Sequence, residues 1–355
     1  MTGNTYLQTR GQQRDSSIEL FRILATFMVL VVHFTGWFVG GVSDPFDSSI
    51  PVAFRIGQPI IEAICIVCVN CFLIISGWFG LSLKFRSFWK LYTQLVFIYI
   101  PIYLLYSLYS GDFSILELID RLLVFTKENY YIQCYAVLIL LSPILNSFFE
   151  KYGRKSLPLV LVLWGVEAFM ENIRGNISLG INSGYSIVHF VLIYLLARAA
   201  SLYKDMIIKV KKSTWLIGYF MCAIIIFLLH LAGFSHTWDY SNPIVVIESF
   251  CLFFVFLYKP FYNKTINWIS ASTLAVYIIH ITHPMPTLFR TIDIFLLTNL
   301  PYAIYILAYF GICAIIFICC IFYDKCRIKL TNSLMEYTYS NLLKSFKSLA
   351  IHNSK

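Results

Sequence analysis

Long apolar runs separated by short polar segments dominate the sequence from residue 18 onward. Ten of these runs approach the roughly 17–25 residues that a helix needs to cross a bilayer. They cover residues 18–38, 58–79, 88–109, 131–149, 157–170, 185–203, 214–233, 243–259, 268–289 and 301–323. The pattern predicts an all-α, polytopic membrane protein with about ten transmembrane helices.

The segments that connect these runs alternate in charge. Lys and Arg are concentrated before the first run, after the tenth, and in every second connection between them. The alternate connections are poorer in Lys and Arg and hold Asp44, Asp47, Asp112, Asp120 and Asp239. The basic residues are Arg10, Arg14, Lys84, Arg86, Lys90, Lys151, Arg154, Lys155, Lys204, Lys209, Lys211, Lys212, Lys259, Lys264, Lys325, Arg327 and Lys329. Because cytoplasmic loops are enriched in Lys and Arg, both termini are predicted to be cytoplasmic, in a multi-pass protein of the cytoplasmic (inner) membrane.

Composition agrees with this interpretation. Hydrophobic residues make up 59% of the 355 residues and charged residues 13%, against roughly 45–50% and 25% in soluble domains. The net charge of +9 is explained by the basic loops, so no nucleic-acid partner is expected. We divide the chain into a cytoplasmic segment (1–17), a transmembrane domain (18–323) and a basic cytoplasmic tail (324–355). The tail is expected either to lie on the membrane surface or to be disordered.

Two sequence patterns bear on metal binding. Cys65, Cys68 and Cys71 form CxxCxxC within one run, but no second ligand pair follows. His280 and His283 are spaced as HxxH, but they lack a neighbouring glutamate. Nearly all ten cysteines lie inside apolar runs, where a thiol behaves as a small hydrophobic group. Neither a metal site nor a disulfide is expected.

The first run has membrane-spanning length and yet contains Glu19, Arg22 and His33. Eleven helical steps turn through roughly 1,100°, within about 20° of three full turns, so the arginine and the histidine share one face about 16 Å apart. Imidazole can accept a hydroxyl proton, whereas guanidinium holds an anion. The helix therefore offers an anion site near the cytoplasm and a general base deeper in the membrane. Alternatively, the arginine extends to cytoplasmic lipid phosphates.

Other ionisable residues fall in the predicted outer half of the membrane or near its boundary. They are Glu62, His189, His230, Glu248, His280 and His283. Such groups are costly in lipid and are candidates for function. Alternatively, they only pair with one another or with backbone groups in the bundle.

The first run resembles the first helix of the acyltransferase 3 family of integral membrane acyltransferases. In that family an arginine is followed by ten residues and a histidine, as Arg22 is followed by His33. The acidic residue one turn before the arginine matches Glu19.

Two further segments are similar to motifs of that family. The second helix of the family ends in an aromatic-rich Ser-Gly motif, which NCFLIISGWF resembles; this segment contains Asn70, Ser76 and Gly77. The start of the fourth helix resembles YYIQCYAVLILLSP, in which Tyr130 and Tyr131 stand where tryptophan is common.

A fourth segment, SASTLAVYIIHITHP, is similar to the family's serine segment that leads to Tyr-x-x-His-Pro. Here the proline follows His283 and not His280, which leaves open which histidine corresponds to the family motif.

The resemblance implies transfer of an acyl group, usually acetyl, from cytoplasmic acyl-coenzyme A to a hydroxyl of a surface polysaccharide or lipid-linked sugar. It implies His33 as general base and Arg22 as a catalytic residue near the donor's phosphates. Donor or acceptor contacts are expected at Glu19, Asn70, Ser76, Gly77, Tyr131 and His280. Ser76 and Gly77 would admit the thioester arm; alternatively, they only allow close helix packing. The secreted hydrolase-like domain of many family members is not expected.

The main rival hypothesis is a proton-coupled exporter or flippase of a glycan, in which the outer-half His and Glu residues form a proton relay. It predicts transport without consumption of acyl-coenzyme A. A glycan polymerase is disfavoured because no connecting segment is long enough for a large extracytoplasmic loop.

Overall fold

The computed structural model describes residues 14–37, 41–124, 129–172 and 180–352. Most of the predicted N-terminal segment and the last three residues of the predicted tail lie outside these ranges. Within them the regular secondary structure is helical, with no strand. The α-helices are α1 Ser16–Val32, α2 Val52–Cys65, α3 Cys68–Phe79, α4 Phe85–Ser110, α5 Ile115–Leu123, α6 Tyr130–Tyr152, α7 Ser156–Asn172, α8 Ile187–Ser201, α9 Lys204–Ile207, α10 Lys212–Leu231, α11 Pro243–Val255, α12 Lys264–Ser270, α13 Thr273–Ile281, α14 Met285–Asn299 and α15 Tyr302–His352.

Six helical segments in the described residues are long and apolar enough to cross a membrane, which confirms an all-α, polytopic membrane protein. They are Ser16–Gly36, Val52–Phe79, Phe85–Ser110, Tyr130–Glu171, Lys212–Leu231 and Tyr302–Leu343. The fourth contains two predicted runs, α6 and α7, joined by a short 3₁₀ turn. The apolar helices α8 and α11 are shorter. The number ten and the orientation of the termini stay predictions.

The ninth predicted run, 268–289, is not one continuous helix. It contains the end of α12, all of α13 and the start of α14, with breaks after Ser270 and Ile281. Pro284 follows the second break, and proline disfavours helical backbone in the residue before it. The short helix α13 places His280 in its last turn, close to the centre of the bundle.

Helix α1 lies at the centre of the bundle and packs against α2, α3, α12, α13 and α15. Phe21, Ala25 and Leu30 are completely buried in this packing. At the periphery, helices α7, α10 and α15 expose large apolar side chains. Such exposure suits a bilayer, where lipid chains replace water as the solvent for apolar groups and helices satisfy their own backbone.

Helix α15 is 51 residues long and continues from the last predicted transmembrane run through most of the predicted cytoplasmic tail. Arg86, near the start of α4, forms an ion pair with Glu336 at 2.6 Å. The rings of Phe85 and Tyr339 stack with their centroids 5.9 Å apart. The described part of the tail is therefore helical and packs against α4.

Candidate active site

The N-terminus of α1 is fixed by polar contacts to distant parts of the chain. Asp15 caps the helix by accepting a hydrogen bond from the Ser17 amide at 2.9 Å. The Ser16 hydroxyl donates to the side chain of Asn267, in α12, at 2.8 Å. The Ser17 hydroxyl donates to the Phe256 carbonyl at 2.6 Å. These bonds set the position of α1 relative to α12.

Glu19 and Arg22 form an ion pair on the first turns of α1. The same Glu19 oxygen accepts a hydrogen bond from the hydroxyl of Ser270, at the end of α12. The Arg22 side chain is 30% exposed, whereas Glu19 is buried. Glu19 therefore orients the guanidinium and neutralises its charge, while part of the guanidinium stays accessible.

The α-helical geometry of α1 ends at Val32, and a π-helix follows over His33–Trp37. The Thr35 hydroxyl donates to Glu62, a buried carboxyl on α2, and approaches the carbonyl oxygens of the preceding turn. π-Helical turns widen the helix by one residue and are frequent at functional sites. Here the wider turn begins at the histidine that the sequence singles out.

His33 and His280 form a direct hydrogen bond, with 2.7 Å between Nδ1 of His33 and Nε2 of His280. Nδ1 of His280 lies 2.6 Å from the Val276 carbonyl, which can only accept, so this nitrogen carries a hydrogen. In a neutral His280 the Nε2 atom then accepts from the Nδ1 hydrogen of His33. This assignment leaves the lone pair of a neutral His33 on Nε2, where a base needs it.

The structure also distinguishes the two histidines, His280 and His283, that could correspond to the family motif. His280 is completely buried beside it. His283 instead contacts the ring of Tyr106, on α4, with centroids 4.8 Å apart. His280 therefore lies at the site beside His33, whereas His283 packs against Tyr106.

Tyrosine rings connect the histidine pair to helix α6. The ring of Tyr277, one turn before His280 on α13, lies 6.0 Å from the imidazole. Tyr131 packs against Tyr277 at 5.4 Å and against Phe190 at 5.3 Å. Arg22 is within electrostatic range of Tyr131. Tyr131 thus has Arg22 within range on one side and the ring of Tyr277 on the other. Tyr277 is the tyrosine of the Tyr-x-x-His segment that the sequence shares with the family motif.

Ser76 and Gly77, near the end of α3, have different surroundings. Ser76 is partly exposed, and its side chain interacts with the hydroxyl of Tyr135. At Gly77 an added Cβ would lie 2.4 Å from the Tyr194 carbonyl oxygen and 2.8 Å from Cβ of Ala197. The packing of α3 against α8 accounts for this glycine, whereas Ser76 borders the space between α3 and α6.

Asn70 belongs to a separate buried network. Its amide nitrogen donates to the Tyr240 carbonyl at 2.9 Å, so its oxygen accepts from Nε2 of His189 at 2.9 Å. The other nitrogen of His189 lies 2.8 Å from a carboxylate oxygen of Glu167. These hydrogen bonds join α3, α7 and α8. The network accounts for His189 through pairing inside the bundle, and it does not include His33.

Two other ionisable residues of the predicted outer half lie apart from the histidine pair. His230 contacts the Ser43 carbonyl at 3.1 Å. Glu248 is completely buried, and neither of its carboxyl oxygens has a hydrogen-bond partner in the described part of the chain. All ten cysteines are unpaired, and no group of three or more His, Cys, Asp or Glu in the described residues could hold a metal ion.

A cavity of about 430 Å³ lies at the far end of α1, beyond the π-helix. Its walls come from the π-helix, residues 41–44 and 49–51, α2, the end of α14 and the start of α15. They combine aromatic and polar side chains, which include Phe54, Tyr302, Tyr305, Tyr309, Thr35, Gln58 and Asp44. Its volume falls within the roughly 300–1,000 Å³ that is usual for small-molecule sites.

A membrane bundle with polar groups gathered along its central helix and an imidazole pair inside it is suited to acid–base chemistry within the membrane. The family model of an acyltransferase domain, Acyl_transf_3, matches residues 15–324. The chain therefore belongs to the acyltransferase 3 family and is a membrane acyltransferase, which uses an acyl donor and an acceptor. No curated protein and no solved structure matches the chain significantly.

Proposed function

We propose that this protein is an O-acyltransferase of the cytoplasmic membrane. It moves an acyl group, most simply acetyl, from cytoplasmic acyl-coenzyme A to a hydroxyl of a surface polysaccharide or lipid-linked sugar. Family membership supports acyl transfer in general. The hydrogen bond between His33 and His280 is the observation that supports the catalytic assignment.

His33 acts as the general base in this proposal. Its Nε2 atom takes the proton of the acceptor hydroxyl as the oxygen attacks the thioester carbonyl carbon. A carbon–oxygen bond forms, the carbon–sulfur bond breaks, and the departing thiolate takes the proton from the imidazolium. His280 accepts the Nδ1 hydrogen of His33 throughout, which holds the ring orientation and stabilises its positive charge. General-base catalysis of this kind contributes about 10²–10⁴-fold to the rate.

The donor reaches the histidine pair from the predicted cytoplasmic side. Arg22, held by Glu19, lies where the donor passes, and Ser76 and Tyr131 border the path toward His280. The acceptor approaches from the opposite side. The cavity beyond the π-helix offers aromatic rings and hydrogen-bonding side chains, which together suit a sugar, because rings cover its apolar faces and polar groups meet its hydroxyls.

Purified protein in lipid vesicles tests the proposal through release of free coenzyme A. His33→Ala should insert and accumulate normally but lose at least about 10²-fold of acceptor-dependent release. His283→Ala is the matched control, since its ring packs on Tyr106. Full activity of His33→Ala would remove the mechanism. Glycan transport without coenzyme A release in the unmodified protein would favour the exporter hypothesis instead.

A further inference from the structure

Arg198 lies in the last turn of α8, on the side of the bundle predicted to be cytoplasmic. It is partly exposed, and one guanidinium nitrogen lies 3.5 Å from the Trp78 carbonyl. The guanidinium covers Gly80, where an added Cβ would come within 3.3 Å of its carbon atom. The side chain is therefore drawn against the end of α3 rather than extended away from the bundle.

Arg198 differs from Arg22 in its charge balance. Arg22 is neutralised by Glu19, and Arg86 by Glu336. In the part of the chain that the structure describes, no carboxylate lies within ion-pairing distance of Arg198. It thus presents a full positive charge at the end of α3, although proximity to the carboxyl end of α8 accounts for part of its stabilisation.

The surroundings of Arg198 are held by a hydrogen-bond network. The hydroxyl of Tyr194, one turn earlier on α8, donates to the Asn146 side chain at 2.7 Å. It also accepts from the Leu81 amide at 3.1 Å, and the Asn146 amide donates to the Leu81 carbonyl at 2.8 Å. These bonds fix the chain segment after α3 against α6 and α8. The Arg198 guanidinium therefore lies beside a segment whose position is fixed by hydrogen bonds.

A row of side chains leads from Arg198 toward the predicted active site. Arg198 is within electrostatic range of Tyr194, which is within range of Tyr135. Tyr135 in turn interacts with Ser76 and is within range of Arg22. One helical turn separates Tyr194 from Arg198, so the arginine lies about 6 Å nearer the predicted cytoplasmic surface than the tyrosine.

We infer that Arg198 binds a phosphate group of the acyl-coenzyme A donor, so that the uncharged pantetheine arm passes Ser76 and Arg22 on its way to the histidines. This inference rests on the proposed function. Guanidinium is the side chain best suited to bidentate binding of phosphate, and an uncompensated guanidinium attracts an anion more strongly than one already paired with a carboxylate. The phosphate of a membrane lipid presents the same chemistry, so the two sources must be separated by experiment.

Full-length protein in nanodiscs tests this with three ligands that differ in phosphate content: acetyl-coenzyme A, its 3′-dephospho form and acetyl-pantetheine. Arg198→Gln should weaken binding of acetyl-coenzyme A by about 10- to 100-fold, the usual loss for a charge-assisted hydrogen bond. Acetyl-pantetheine binding should not change. If Arg198→Gln also weakens binding of the 3′-dephospho form, the arginine contacts the pyrophosphate. If it does not, the arginine contacts the 3′-phosphate. Arg198→Lys keeps the positive charge but not the paired donors of the guanidinium, so its affinity for acetyl-coenzyme A should lie between those of the unmodified protein and Arg198→Gln.

Arg86→Gln is the matched control, because that cytoplasmic arginine is already paired with Glu336, and it should leave all three affinities unchanged. An equal loss for acetyl-pantetheine in Arg198→Gln would overturn the inference. So would unchanged donor affinity together with loss of co-purifying anionic lipid, which would make Arg198 a headgroup anchor. If the unmodified protein bound none of the three ligands, the proposed function itself would fail.

Discussion

Replacement of Gly77 by alanine separates the two explanations of the Ser-Gly pair. The new methyl group would lie 2.4 Å from the Tyr194 carbonyl oxygen, about 1 Å short of an ordinary contact. The obstacle is backbone of α8, which cannot rotate away as a side chain can. Helices α3 and α8 would have to separate, and overpacking of this kind costs typically 1–3 kcal/mol.

The expected result is a lower thermal unfolding midpoint for Gly77→Ala in detergent, with any activity loss proportional to the folded fraction. Gly165→Ala is the matched control, because that glycine lies within α7 and has open space around it. Alanine is favoured over glycine in a helix by roughly 0.8–1.0 kcal/mol, so this variant should be as stable as the original or slightly more so.

The assay also measures the Michaelis constant for the acyl donor at a temperature where both variants are folded. Packing alone predicts little change in that constant for Gly77→Ala. An unaltered unfolding midpoint together with a strongly raised Michaelis constant for the acyl donor would refute the packing argument. It would indicate instead that Gly77 borders the path of the donor. Ser76→Val, which adds bulk beside Tyr135 rather than against α8, should instead raise the donor constant.

Two further predictions concern the predicted extracytoplasmic side. Burial raises the pKa of Asp293, in α14, from 3.8 to about 6, so the folded state holds its proton more tightly and the stability it contributes is lost as pH rises toward and through 6. Asp293→Asn should therefore gain more thermal stability relative to the original protein at pH 7 than at pH 5, where the loss is only partly complete, and almost none near pH 3; the same difference at pH 3 and at pH 7 would contradict this. Tyr302→Ala should raise the Michaelis constant for de-esterified oligosaccharide prepared from the host's surface polysaccharide by about tenfold, with coenzyme A release in the absence of acceptor unchanged; an unaltered constant would exclude the cavity as an acceptor site.

Helical periodicity was sufficient to place Glu19, Arg22 and His33 along one helix, because their relation depends on local geometry alone. The ion pair between Glu19 and Arg22 follows from the same spacing. The partner of His33 could not be predicted in this way. In the sequence His280 matches the Tyr-x-x-His part of the family motif and His283 precedes the proline, and the packing of α13 against α1 is what brings His280 to His33.

The other features that the sequence did not predict also depend on tertiary packing. The break that ends α13 falls inside a run with a high average hydropathy, although Thr282, His283 and Pro284 mark it in the sequence. The hydrogen bonds of His189 to Glu167 and to Asn70 join residues far apart in the chain. Ser270 gave no signal as a partner of Glu19 until α12 was placed beside α1. Hydropathy registers none of these tertiary relations.

The π-helix over His33–Trp37 has a consequence for how α1 tolerates changes of length. The wide turn holds one residue more than an α-helical turn, so deletion of a single residue within it would let the helix close to regular geometry. His33 and the residues after the deletion would then stay close to their present orientation, because the deletion removes only the extra residue that the wide turn holds. Deletion of a residue from the α-helical part of α1 would instead rotate every later residue by roughly 100°. Thr35 would then leave the buried Glu62 carboxyl without its hydrogen bond, and the cavity wall would shift relative to the imidazole pair.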